Sequence, residues 1–296
     1  MFSKFFGKRK EEKKGSDFVI EEEEDDGDAF VTSLQLNLAR LIAYAESADV
    51  RLQRDVAEKL ANEAVKPERQ IQIVSHGGLK LLIPLTKSAD NEVQRLAAHA
   101  LANLSVNADN QRLMASEGAI EVLIDLLGSV HLQTQRQSAK ALANLGVHHE
   151  NKRLLAEAGA IPKLVRLTEA SVTTTVRIEA VAALANLAVN DQNEIEIEAC
   201  NGIRTIVAAL RASLEFSNSF SGARDREFNN VEELTAQCAR ALRNLSVNAR
   251  NKKIMVDMEV IADLQHLLRH SNERIAQQSK KALANLGAVS SEISRK

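Results

Sequence analysis

Apolar residues recur along this chain at helical intervals, and the arrangement returns about every 41 positions. The string ALANLSVNADN at 100–110 comes back as ALANLGVHHEN at 141–151, ALANLAVNDQN at 183–193 and ALRNLSVNARN at 241–251. One period holds three helical pieces. Residues 109–116 (DNQRLMAS) predict a short first helix capped by Asp109 or Asn110. Gly118 then breaks it, with room for a positive φ. Residues 119–127 (AIEVLIDLL) predict the second helix, and in the next copy Pro162 sits in its first turn, where a missing N–H is harmless. Residues 132–145 (LQTQRQSAKALANL) predict the third. No stretch alternates as a strand would. An all-helical pattern of this period is the mark of an α-solenoid.

Six asparagines close the third helices: Asn62, Asn103, Asn144, Asn186, Asn244 and Asn285, at spacings of 41, 41, 42, 58 and 41. Fifteen residues after the first five comes a turn, at Gly77, Gly118, Gly159, Asn201 and Glu259. That register never slips, so the long spacing holds one repeat plus 17 inserted residues between Asn201 and Asn244. The Ser/Asn/Gly/Arg-rich stretch 213–230 reads as the inserted loop. Residues 1–30 lie outside the pattern as a charged tail, 31–290 form the repeat domain and 291–296 a second tail.

The run A-L-A-N-L-x-V-N-x-x-N-K/R, followed by E/A-G-A-I-x-x-L-V/I-x-L-L, resembles the armadillo repeat across roughly residues 34–288. It is closest to the regular kind seen in vacuolar armadillo scaffolds, armadillo-repeat kinesin tails, β-catenin and importin-α. The resemblance implies a right-handed α-solenoid of about six three-helix repeats, non-enzymatic, binding protein in a concave groove. The ends depart from the pattern: the first copy lacks its short first helix, and Asp257-Met258-Glu259-Val260 stands where a glycine turn is usual. Weakened end repeats suit caps that face solvent.

On a helical wheel Ala97, Ala100, Leu101 and Leu104 share one side, and Glu92, Arg95, His99 and Asn103 the other. Arg136, Lys140 and Asn144 repeat that polar stripe. Third helices stacked at about 8–10 Å would set the six asparagines along roughly 45 Å. At about 3.3 Å per residue, roughly 14 residues of extended peptide fit along it. A carboxamide both donates and accepts. Asn103, Asn144, Asn186 and Asn244 could therefore grip a ligand's backbone, or could bond the adjacent repeat's backbone and fix the superhelix. Asn62 and Asn285, at the ends, suit the second role.

Specificity falls to neighbours on the stripe. Four residues before each asparagine stand Glu58, His99, Lys140, Ala182, Arg240 and Lys281. Importin-α-like proteins carry Trp there, and this chain has no Trp, which disfavours a nucleocytoplasmic transport receptor. The twelve residues ending at each asparagine sum to +7, against −2 for the whole chain. A groove of that sign suits an acidic peptide. The alternative places some of these bases at the rim.

Composition narrows the field further. Apolar residues are 45% but aromatics only 3%, so Leu and Ala carry the packing. A net charge of −2 is a poor fit to general nucleic-acid binding. Cys200 and Cys238 make no framework, which suits a reducing compartment. No long apolar run or secretory h-region occurs, which suits a cytoplasmic location. His266 and His270 lack a third metal ligand, the sequons at Asn103 and Asn244 lie on packed helices, and no nucleophile–base constellation is present. The expectation is a monomeric adaptor without cofactor or enzymatic activity.

The tail keeps four readings open. It could be solvated. Phe2, Phe5 and Phe6 with Lys4, Lys8, Arg9 and Lys10 could touch an anionic membrane, making residues 2–10 a peripheral tether. Lys8, Arg9, Lys10, Lys13 and Lys14 could form a nuclear-import signal. Glu21–Asp28 could fold into the chain's own basic groove. In the insertion, Phe216, Phe220 and Phe228 could anchor a partner, and Ser217, Ser219 and Ser221 could be phosphorylated.

Overall fold

The computed structural model describes residues 27–169, 172–219 and 225–288. The tail readings at residues 2–10, 8–14 and 21–26, Phe220, Ser221, and residues 291–296 fall outside the described part.

The described residues are helical, without strands. They divide into two compact units, Met1–Ala119 and Ile120–Lys296. In the first, α1 (Gly27–Ala45), α2 (Val50–Ala64), α3 (Pro67–Ser75), α4 (Leu79–Leu85), α5 (Asn91–Leu104) and α6 (Ala108–Ser116) follow in order. Here α2 and α5 lie side by side, and α1 packs on α2 and α4. The copy expected to lack its first helix is thus led by one 19-residue helix, which starts at Gly27, inside the stretch taken as tail.

The second unit begins at the second residue of α7 (Ala119–Leu126) and goes on with α8 (Leu132–Leu145), then α9 (His149–Glu157), α10 (Ala160–Arg166) and α11 (Thr174–Leu187). α12 (Asp191–Ala199), α13 (Gly202–Ser219) and α14 (Arg226–Leu245) follow. α15 (Ala249–Asp257), α16 (Val260–Leu267) and α17 (Glu273–Asn285) complete it. The third helices α8, α11, α14 and α17 stack each on the next.

The insertion is not a plain loop over 213–230. α13 runs 18 residues where its counterparts run seven or eight, and α14 runs 20. The inserted residues prolong two helices, because local hydrogen bonds satisfy a polar backbone as well as water does. Asp225 caps α14 by accepting from the Phe228 N–H.

Leucine and alanine fill the core. Leu142, Leu145, Leu184, Leu187, Leu242 and Leu245 are each at most 1% exposed. The cap of the short first helix is Asn107, not Asp109 or Asn110 as expected. Its side chain accepts from the N–H groups of Asp109 and Asn110, and Asn190 and Asn248 repeat this. Between first and second helices the chain takes a left-handed turn, at Gly118 (φ 87°) and, without glycine, at Asn201 (φ 61°) and Glu259 (φ 58°).

Candidate functional site

The polar stripe of the third helices is the candidate site, and the structure shows how its asparagines are held. A helix leaves its last carbonyls without intrahelical donors. At the end of α8 the Val147 N–H bonds the Asn144 carbonyl at 3.1 Å, one residue short of the α-helical partner. Asn186 of the next third helix donates its amide to the Ala143 oxygen at 2.7 Å. Asn244 donates likewise to the Ala185 carbonyl at 2.7 Å. Asn285 donates to the Arg243 carbonyl and the Ser246 hydroxyl, both at 3.1 Å. Each asparagine thus reaches the carbonyl just before the previous repeat's asparagine, satisfying a terminal group from outside.

The adjacent-repeat role therefore operates at Asn186 and Asn244 as well as at Asn285. It does not exhaust the carboxamide, which has a second N–H and an acceptor oxygen. Asn144 is half-buried at the same register of α8. In the first unit Asn103 lies 3.2 Å from the His99 ring on its own helix, and Asn62 is exposed.

The cations divide into two groups. Arg95 is gripped by both Glu92 oxygens, at 2.6 and 2.8 Å. That hydrogen bond pulls the Glu92 carboxyl below its ordinary range and raises the guanidinium. Arg136 faces Glu179 at 3.7 Å. Burial pushes the Glu179 carboxyl up, against the pull of Arg136 and Lys140. Arg274 pairs with Glu233 at 3.3 Å. These three acids are already subtracted in the net charge counted along the sequence; the structure shows which cations they meet.

Lys140 and Lys281 have no ion pair to any described residue. Lys140 is half-buried and Lys281 exposed, each one turn before its asparagine. Arg240 points back across the stack: one terminal nitrogen donates to the Asn186 Oδ1 at 3.0 Å, the other to the Ala182 carbonyl at 3.1 Å. Burial lowers the Arg240 pKa. The second unit thus brings Arg136, Lys140, Asn144, Asn186, Arg240, Asn244 and Lys281 onto stacked helices; Arg95, His99 and Asn103 share α5 in the first unit.

A second asparagine row escaped the sequence reading. Asn110 donates to the carbonyls of Leu104 (3.1 Å) and Gln70 (2.9 Å). Asn193 does the same to Leu187 (3.3 Å) and Lys152 (3.0 Å), and Asn151 donates to Leu145 (3.1 Å). Its signal is the N-x-x-N spacing, a cap followed by a buried bridge, as at Asn107 and Asn110. Phe216 and Phe228 of the insertion are half-buried on α13 and α14. The Ser217 and Ser219 hydroxyls donate to the backbone oxygens of Ser213 (2.9 Å) and Phe216 (3.0 Å). Cys238 is fully buried, which pushes its thiol up to about 12. Among the described residues no cluster of three metal-ligating side chains occurs, and no helix is long and apolar enough to cross a membrane.

The Armadillo/beta-catenin-like repeat family matches at residues 66–106, 107–147 and 148–189. An engineered protein of known structure is 30% identical, over 85% of this chain and 97% of that one, with a TM-score of 0.73. A designed armadillo repeat protein in complex with the peptide (KR)4 is 24% identical over 84% of this chain and 99% of that one, at 0.70. A structure concerned with the interaction between cadherin and beta-catenin is 19% identical over 84% of this chain and 44% of that one, at 0.66. The last two bear on the fold alone. No curated protein matches the chain.

Proposed function

The chain belongs to the armadillo/β-catenin-like repeat family, and from that footing we propose that it is a non-enzymatic adaptor taking an extended acidic segment across the third helices of its second unit. The observation that carries this is the pair Lys140 and Lys281. They stand in no ion pair with a described residue and lie beside half-buried asparagines, while Arg136 of α8 and Arg274 of α17 are already paired. Carboxylates of the segment meet the lysines, while carboxamides of the Asn144–Asn186–Asn244 row bond its backbone through groups the row leaves over. In the first unit His99, Arg95 and Asn103 form a stripe of the same kind on α5, with Arg95 acting only as part of its pair with Glu92.

A labelled octapeptide of alternating aspartate and glycine tests this by fluorescence anisotropy. Lys140→Glu with Lys281→Glu should weaken binding at least about tenfold, as for loss and reversal of two charge contacts, with unchanged helical circular dichroism. Equal binding by wild type and variant overturns the proposal. Arg240→Glu is a poor choice for this test, since Arg240 also bridges two helices.

A further inference from the structure

Arg240 differs from the ion-paired arginines. Arg54, Arg95, Arg153, Arg211, Arg250 and Arg274 each face a carboxylate within 3.3 Å. Arg240 has no carboxylate within ion-pair distance among the described residues. Its terminal nitrogens hold two neutral oxygens, and its buried Nε has no hydrogen-bond partner. A guanidinium withdrawn from water is costly when the acid that acts on it, Glu233, lies beyond ion-pair distance and Arg274 and Arg243 add like charge. The lysine at the same register of α8 makes no described hydrogen bond or ion pair, whereas Arg240 spends a donor on the Asn186 Oδ1. With the Asn186 amide committed to Ala143 at 2.7 Å, both ends of that carboxamide are engaged.

We propose that Arg240 is a latch on Asn186: it keeps the asparagine's acceptor closed until a carboxylate of the bound segment draws the guanidinium away. The site would then grip the backbone of an acidic segment and refuse a neutral one. The exchange replaces a hydrogen bond to a neutral oxygen by a charge-assisted one, the stronger kind, and supplies a carboxylate in direct contact. The released Asn186 Oδ1 then accepts a backbone N–H of the segment. The latch makes an amide row, which by itself ignores side chains, selective for acid. It rests on the binding reading above and adds to it which residue reads the acid and what that reading opens.

Two octapeptide probes of equal length separate the possibilities, one alternating aspartate and glycine, the other serine and glycine. In Arg240→Met the aspartate probe should bind at least about tenfold more weakly, as for loss of a charge-assisted contact. The serine probe should bind at least about threefold more tightly, because no fraction of the sites is held closed. Adding Asn186→Ala should remove that gain. Arg240→Lys supplies the same test should the methionine variant unfold: it keeps the charge but lacks the fork that spans Asn186 and Ala182, so it should keep aspartate-probe binding and gain serine-probe binding. If the serine probe binds no better to either variant, or remains undetectable in both, the latch is overturned while aspartate-probe binding by the wild type still upholds the adaptor reading. If the wild type binds neither probe, both fail together.

Discussion

Glu259 occupies a left-handed backbone conformation, φ 58°, at the turn where earlier repeats place Gly77, Gly118 and Gly159. A side chain there crowds the following carbonyl, at about 1–2 kcal/mol per residue. The Glu259 side chain is exposed and contributes no described bond that would offset this. Glu259→Gly should therefore stabilise the protein by about 1 kcal/mol, less the entropy a glycine adds to the unfolded chain. A rise in the urea midpoint would show it; a fall would mean the turn is held by contacts of the glutamate itself. That a left-handed turn falls here is legible in the sequence, since the fifteen-residue register counts to Glu259 as it counts to Gly118. That two non-glycine residues bear it follows from the flanking helices, which impose the geometry whatever residue stands between them.

At the scale of helices, the stack is held by side chains that complete their neighbours' ends. Asn186→Ala would leave the Ala143 carbonyl without its donor, at a cost of about 1–3 kcal/mol for an unsatisfied group away from water. Asn62→Ala, on an exposed residue, should cost close to nothing. Equal losses in chemical denaturation would show that the amide-to-carbonyl bonds do not carry the stack. Glu179 gives the α8–α11 contact a pH dependence. Its folded pKa is raised by burial, so its protonated form is favoured by folding. Its stabilising share is full below the unfolded pKa and is lost as pH rises through the folded one. Measured against Glu179→Gln, the wild type should gain relative stability as pH falls from 7 towards 4. A difference that stays flat would place Glu179 in an unperturbed environment. None of this was visible along the chain. A count over twelve residues sums Arg136 and Lys140 as free charge, because the acid that meets Arg136 belongs to another helix 43 positions on.

At the scale of the molecule, the repeat is the part that sequence alone determines. Its helices, their lengths, the turns between them and the leucine–alanine core all follow from relations among residues within one period, and each copy states them again. The period of 41 also places the six asparagines and the 17-residue insertion. The structure decides what those residues do. The insertion lengthens α13 and α14, since a polar stretch that can be a loop can equally continue a helix when a neighbouring helix is there to pack on. The asparagines could turn to a ligand or to the preceding helix, and their own segments are identical in either case. The choice rests on a backbone carbonyl some forty residues earlier, brought to 2.7 Å by the stacking of α8 on α11. Side-chain chemistry and periodicity are local and can be read in order along a chain; the partner of a polar group is a property of what folding sets beside it.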